Sequence, residues 1–396
     1  MPRRVILIVA DSLGVGEAPD AAKYGDVGAN TLRTLHSSGK LFIPNLRKMG
    51  LFNIDGTEYA RRSCIVRGAY GRMMEQSAGK DTISGHYEIA GLITHKAQPT
   101  YPNGFPKEIL DKIRKISGRD VLCNLPYSGT DVIRDYGQEH ERTGALIVYT
   151  SADSVLQIAA NEKVVDITEL YSICEQMREF MTGEHNVGRI IARPYVRTDS
   201  GFKRTPNRKD FANPAPGTTM LDVLKKNGLD VVGLGKISNI FAGRGLTHSF
   251  HTDDNKDGLR KLNSLVRDNF DGLLFLNLVD FDSKYGHRND IEGYAKAMSY
   301  FDKHIPQFTS VLSDEDLVII TGDHGCDPGF HTTDHTREYV PVLLHGLGIN
   351  NSVNLGTRNT FADISATILE YFGIENTLDG TSMLKDIPQK PYLYNK

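Results

Sequence analysis

Cysteine is scarce in this sequence: Cys64, Cys123, Cys174 and Cys326 are the only ones, and no two form a CxxC pair. Spacing this wide excludes a disulfide framework and a thiolate metal site. Long apolar runs are also missing, so no segment approaches the roughly 20 residues of a transmembrane helix. The stretch Met1–Gly16 opens with two arginines and an apolar run, but Asp11 interrupts that run too early for a signal peptide. No cluster of Lys and Arg makes a polybasic patch. A net charge of −3 gives no reason to expect nucleic acid or an acidic membrane as a partner. Internal repeats and low-complexity tracts are absent too. The expectation that remains is a cytoplasmic protein with nothing that demands an oligomer, so a monomer is permitted. Its 396 residues are enough for two domains at roughly 100–200 residues each.

What is present is a series of short apolar runs that end in acid. Val5–Ala10 ends at Asp11, Ala145–Ala152 at Asp153, Leu273–Val279 at Asp280 and Asp282, and Leu317–Gly322 at Asp323 and His324. A fifth run, Asp230–Leu234, leads to Gly235 and Lys236. Runs rich in Val, Ile and Leu and bounded by Gly or Asp read as strands buried on both faces. Helical patterns lie between them, at Thr219–Lys226, Gly258–Asn269 and Ile291–Phe308. This alternation predicts an α/β fold with a mostly parallel sheet flanked by helices. Ligands of such sheets sit beyond the carboxyl ends of the strands, which is where the acids stand. The segment 98–217 differs, with more Gly, Pro and Arg and with turn-like ends at Gln98–Pro102 and Asn213–Gly217. It reads as an α/β domain inserted into a core made of 1–97 and 218–396.

Asp11, Asp282, His287, Asp323, His324 and His335 form the main constellation. Any one of them alone could be a helix cap or a loop residue. Together they cluster at three strand ends and the loops that follow. Three carboxylates and three imidazoles can hold two divalent ions with three protein ligands each, leaving positions open for chemistry. Two such ions and three aspartates leave one positive charge, which an alkoxide would neutralise. The polar, Gly-flanked stretch Ser77–Glu88 offers Ser77, Thr82 and Ser84 as the source of that alkoxide, and the sequence does not choose among them. Gly233-Leu-Gly235 follows a strand, but Ser238 stands where a dinucleotide-binding loop needs its third glycine.

Seven stretches together resemble the alkaline phosphatase superfamily of metalloenzymes and, more closely, the phosphopentomutase family. They are Ala10–Gly16, Gly79–His86, Tyr149–Ser154, Ile191–Tyr195, Lys203–Arg208, Asn277–His287 and Thr333–Tyr339. The resemblance spans essentially the whole chain. It implies an alkaline-phosphatase-like core under a cap domain, with two divalent ions that are typically manganese. Asp282, His287 and His335 would hold one ion. Asp11, Asp323 and His324 would hold the other, with Thr82 as the phosphorylated nucleophile and Asp153 near the sugar. Arg193, Arg204, Arg208 and Lys236 are candidate clamps for a second phosphate, with Arg193, Arg208 and Lys236 preferred. The implied activity is interconversion of ribose or deoxyribose 1-phosphate and 5-phosphate through phospho-Thr82 and a sugar bisphosphate, which also serves as activator. A phosphatase, phosphodiesterase or phosphoglycerate mutase of the same superfamily would use similar metals.

Overall fold

The computed structural model describes residues 3–387 apart from 152, 153, 269, 314 and 350. Its contacts divide it into a core, Met1–Lys96 with Ala215–Lys396, and an inserted unit, Ala97–Pro214. Along the chain the core begins with β1 (Arg4–Ala10) and β2 (Gly68–Met73). The inserted unit follows with β3 (Val121–Pro126), β4 (Leu146–Thr150), β5 (Val155–Asn161), β6 (Arg189–Thr198), β7 (Gly201–Arg204) and β8 (Lys209–Ala212). The core resumes with β9 (Asp230–Leu234), β10 (His248–Phe250), β11 (Gly272–Leu278), β12 (Leu317–Thr321), β13 (Val340–Gly346) and β14 (Ser352–Arg358).

The core sheet has the order β10-β9-β11-β1-β12-β13-β2-β14. Every pairing is parallel except the two made by β13, so β13 alone runs against the rest. The pattern of β1 explains its central place. Val5, Leu7 and Val9 feed one buried cluster, while Ile6, Ile8 and Ala10 feed the cluster on the opposite face. A strand apolar on both faces needs helices above and below it. One face is covered by apolar residues of helices Thr82–Ile89, Met220–Lys226 and Asp363–Tyr371. The other is covered by Thr31–Ser37, Asn255–Leu265 and Ile291–Thr309. The helix expected at 258–269 starts earlier, because the Asp254 side chain caps it by accepting from the Asp257 amide.

The inserted unit is itself α/β. Its sheet runs β3-β4-β5-β6-β7, with β8 paired to β6. Helices Lys107–Ser117 and Ile167–Phe180 bury Ile109, Ile113, Leu170 and Met177 against Leu146, Val148 and Ile158. Helix Asp131–Thr143 covers the other face, packing Val132 and Ile133 with Ile147 and Tyr149. Residues 215–217 go with the core: Ala215 lies in a core cluster and its carbonyl accepts from Arg244 at 3.0 Å. No helix among the described residues is long and apolar enough to cross a membrane.

Candidate metal centre

The three strands that end in acid, β11, β1 and β12, are neighbours in the sheet. Parallel pairing puts their carboxyl ends on one edge, so Asp11, Asp282, Asp323 and His324 meet although they lie far apart in sequence. The reversal of β13 returns the segment before it to the same edge, which delivers His335. Asp282 lies on a π-helical turn, Phe281–Tyr285, a distortion common at functional sites. Thr82 opens the helix Thr82–Ile89, which follows β2. Asp81 caps that helix, accepting from the amides of Ile83 at 2.9 Å and Ser84 at 3.2 Å. Gly85 lets the helix approach: a Cβ there would lie 2.1 Å from the Asp323 carbonyl oxygen.

Among the described residues three overlapping groups of ligand atoms result, one around Asp11 and Asp323 and two that share Asp282, with His324 common to the first and one of the others. Asp11, Asp323 and His324 form one; His324 Nε2 is 3.4 Å from Asp11 Oδ1 and 3.5 Å from Asp323 Oδ2. The other two centre on Asp282, whose Oδ1 lies 3.3 Å from His335 Nε2 and whose Oδ2 lies 3.4 Å from His287 Nε2. The two imidazole nitrogens face each other at 3.0 Å. The ring tautomers suit ligation. His324 Nδ1 donates to the Gly325 carbonyl at 3.0 Å and His287 Nδ1 to that of Thr333 at 2.6 Å, leaving each Nε2 lone pair turned inward. The Thr82 hydroxyl lies 3.1 Å from His324 Nε2. Of the other candidate nucleophiles, Ser84 Oγ donates to Asp81 and Ser77 Oγ accepts from the Thr94 amide.

The electrostatics ask for cations. Asp11, Asp282 and Asp323 are buried, and each has one oxygen without a hydrogen-bond donor. Buried carboxylates in this state are costly unless a cation meets them. Burial alone would raise the Asp282 carboxyl, but His335 and His287 outweigh it and hold that carboxyl well below its usual range. Burial would lower His287, yet hydrogen bonds to Asp282 and Cys326 push it up to about 12. His324 is driven well above its ordinary value, chiefly by Asp323 and Asp11 against burial. The imidazoles are thus pulled toward carrying the positive charge that divalent ions would supply, and the residues fit two such ions.

Several contributors were not singled out in the sequence. Cys326 lies with Asp282 and His287 in a candidate ligand group, two residues beyond His324, which corrects the expectation from cysteine spacing: a lone thiol reaches the site because Asp and His ligands, not a second cysteine, accompany it. Arg337 is buried and braces the loop before Thr82: it bonds Glu75 at 2.6 Å, the Gly79 carbonyl at 2.6 Å and the Glu75 carbonyl at 2.7 Å. Glu338 accepts from Gly16, Thr31 and Thr336. His86 and Asn277 lie between Asp323 and Asp11. The signal for Asn277 was a lone amide in an otherwise apolar strand; the signal for His86 was its place one turn after Thr82. In the inserted unit, Arg193 donates to Gln157 at 3.0 Å, and burial with Arg208 and Arg204 nearby pushes it down to about 10. Arg208 grips Asp210 through two bonds of 2.6 Å, and Arg204 donates to the Gly129 carbonyl. Lys236 stands at the start of the short helix Ile237–Ile240 in the core. Asp153 lies outside the described residues.

Residues 3–376 match the family model described as the metalloenzyme superfamily. The phosphopentomutase of Lachnoclostridium phytofermentans is 52% identical over 98% of this chain and 100% of its own. The phosphopentomutase of Caldanaerobacter subterraneus is 51% identical over 98% and 99%. A solved protein from Pyrococcus horikoshii, 15% identical, superposes with a TM-score of 0.50 over 96% of this chain and 99% of that one, a likeness of fold.

Proposed function

This chain belongs to the phosphopentomutase family of the metalloenzyme superfamily, isomerases that move a phosphoryl group within one molecule, and on that premise we propose that it works through phospho-Thr82. The substrates are pentose 1-phosphates and 5-phosphates, ribose or deoxyribose. The observation that carries the Thr82 assignment is its hydroxyl, 3.1 Å from His324 Nε2 and beside the Asp11–Asp323–His324 group. Phospho-Thr82 transfers its phosphoryl group to the free hydroxyl of a pentose monophosphate. The P–O bond to Thr82 breaks as the bond to the sugar oxygen forms, giving a sugar bisphosphate. Transfer of the other phosphoryl group back to Thr82 releases the isomeric monophosphate and restores the starting enzyme. A sugar bisphosphate added from outside primes the cycle by the second of these steps.

Asp282, His287 and His335 would hold one divalent ion, and Asp11, Asp323 and His324 the other. When bound, the ions supply charge neutralisation and alignment for in-line phosphoryl transfer. Mixed carboxylate and imidazole donors suit a first-row transition ion, and the proposal is manganese. The Asp81 cap and the Arg337 brace hold the Thr82 turn, while the Nδ1–H bonds of His324 and His287 hold their rings. For the second phosphate the proposal assigns Arg193, Arg208 and Lys236, on the chemistry of their cationic side chains.

Incubation of the manganese-loaded protein with ribose 5-phosphate and a trace of sugar bisphosphate, followed by phosphorus NMR, tests this reading. An anomeric 1-phosphate signal with little free phosphate is expected, and Thr82→Ala should abolish it. Free phosphate as the main product would overturn the mutase reading. Unchanged turnover by Thr82→Ala would remove Thr82 from the path.

A further inference from the structure

His86 stands in the stretch that contains Thr82, yet neither the ligand set nor the phosphoryl-transfer steps use it. It is fully buried, stacked on Phe275 with ring centres 5.7 Å apart. Its Nδ1 lies 2.9 Å from the Thr82 carbonyl oxygen and 3.1 Å from Asp323 Oδ2. Its Nε2 lies 3.2 Å from the Asn277 amide nitrogen, and the same nitrogen donates to Asp11 Oδ2 at 2.9 Å. An amide nitrogen has two hydrogens, so Asn277 can serve both partners. His86 Nε2 is then an acceptor, which leaves the proton on Nδ1, directed at Thr82 and Asp323. A hydrogen-bonded path therefore runs from Asp11 through Asn277 and His86 to the backbone of Thr82, with Asp323 Oδ2 facing the same Nδ1.

We propose that His86 and Asn277 form a buried positioning bridge that fixes Asp11, Asp323 and Thr82 relative to one another and sets the affinity of the metal site those two aspartates build. The inference rests on the reading that Asp11, Asp323 and His324 hold one ion. Asp11 and Asp323 come from different strands and Thr82 from a helix, and the bridge bonds or faces all three at once. Outer partners of this kind orient ligands and typically change metal affinity by about 10–100-fold. Among the described residues, neither His86 nor Asn277 bonds Asp282, His287 or His335, so the effect is selective.

The test is a manganese titration of the full chain, read by calorimetry and by electron paramagnetic resonance, which report each site without turnover. The wild type should bind two ions. His86→Phe keeps the ring stacked on Phe275 but loses both nitrogens; one ion should bind about 10–100-fold more weakly and the other as before. His86→Gln, which restores a donor, should recover part of the loss. Asn277→Leu should weaken the same ion, and it decides the matter should His86→Phe fail to fold. Native affinity for both ions in the folded variants, or equal weakening of both, would overturn the bridge. Asp323→Asn serves as the control: a wild type that binds fewer than two ions, or an Asp323→Asn protein that keeps both at native affinity, would sink the ligand assignment instead.

Discussion

Glu338 illustrates how a residue quoted in a motif can work without touching chemistry. Burial pushes its carboxyl from an ordinary 4.5 up to about 7, even though Thr31 and Thr336 donate to it. Between those values the folded protein holds a proton that the unfolded chain has released. Stability attributable to Glu338 is therefore present below pH 4.5 and lost as pH rises through about 7, by about 3 kcal/mol at most. Glu338→Gln should be less stable overall, because its amide nitrogen would face donors, but its stability should vary less with pH across that range. Urea unfolding of both proteins at pH 5 and pH 7.5 measures the difference in slope. At this scale the sequence made the acids and histidines legible, because Asp11, Asp282, Asp323 and His324 follow apolar runs that could only be strands. Their supporting residues were not legible in the same way. Arg337 acts through partners brought from remote segments, and His86, though one turn from Thr82, meets Asp323 and Asn277 only in the fold.

The helix Thr82–Ile89 concentrates several of these demands in two turns. Asp81 closes its start, Thr82 presents a hydroxyl, Gly85 gives up a side chain to Asp323, and His86 reaches back to Thr82. Asp81→Ala removes acceptors from the amides of Ile83 and Ser84 and should cost about 1 kcal/mol of stability. Fraying would begin at Thr82, so turnover should fall by more than a loss of that size implies for folding. Thermal unfolding and initial-rate assays on the same preparation compare the two losses. The strands were easier to read than this helix. β1, β9, β11 and β12 are continuous apolar runs, whereas Thr82–Ile89 carries almost no apolar periodicity because most of its residues are buried against the site or the sheet. Helix limits such as the start at Asn255 depended on cap geometry, which a pattern of apolar positions does not display.

At the scale of the whole chain, the two units have separate hydrophobic clusters, and only the core contains the three buried aspartates. Divalent ions should therefore stabilise the units unequally. At a free manganese concentration of about 100 times Kd, each ion adds about 2.7 kcal/mol to whichever unit binds it. Calorimetric scans with manganese and with EDTA should show a core transition that moves by several degrees and a transition from Ala97–Pro214 that stays in place. Equal shifts of both transitions, or none, would contradict the assignment of the ions to the core.

The order of strands in the core sheet also has a consequence during synthesis. β1 leaves the ribosome long before both of its sheet neighbours, β11 and β12, which lie more than 250 residues later. At about 5–20 residues per second, the segment Arg4–Ala10 waits tens of seconds for a partner while apolar on both faces. Ala97–Pro214 emerges complete in the meantime, with all six of its strands. The nascent chain thus carries a complete inserted unit while Arg4–Ala10 stays unpaired, an adhesive strand open to misassociation until its neighbours emerge.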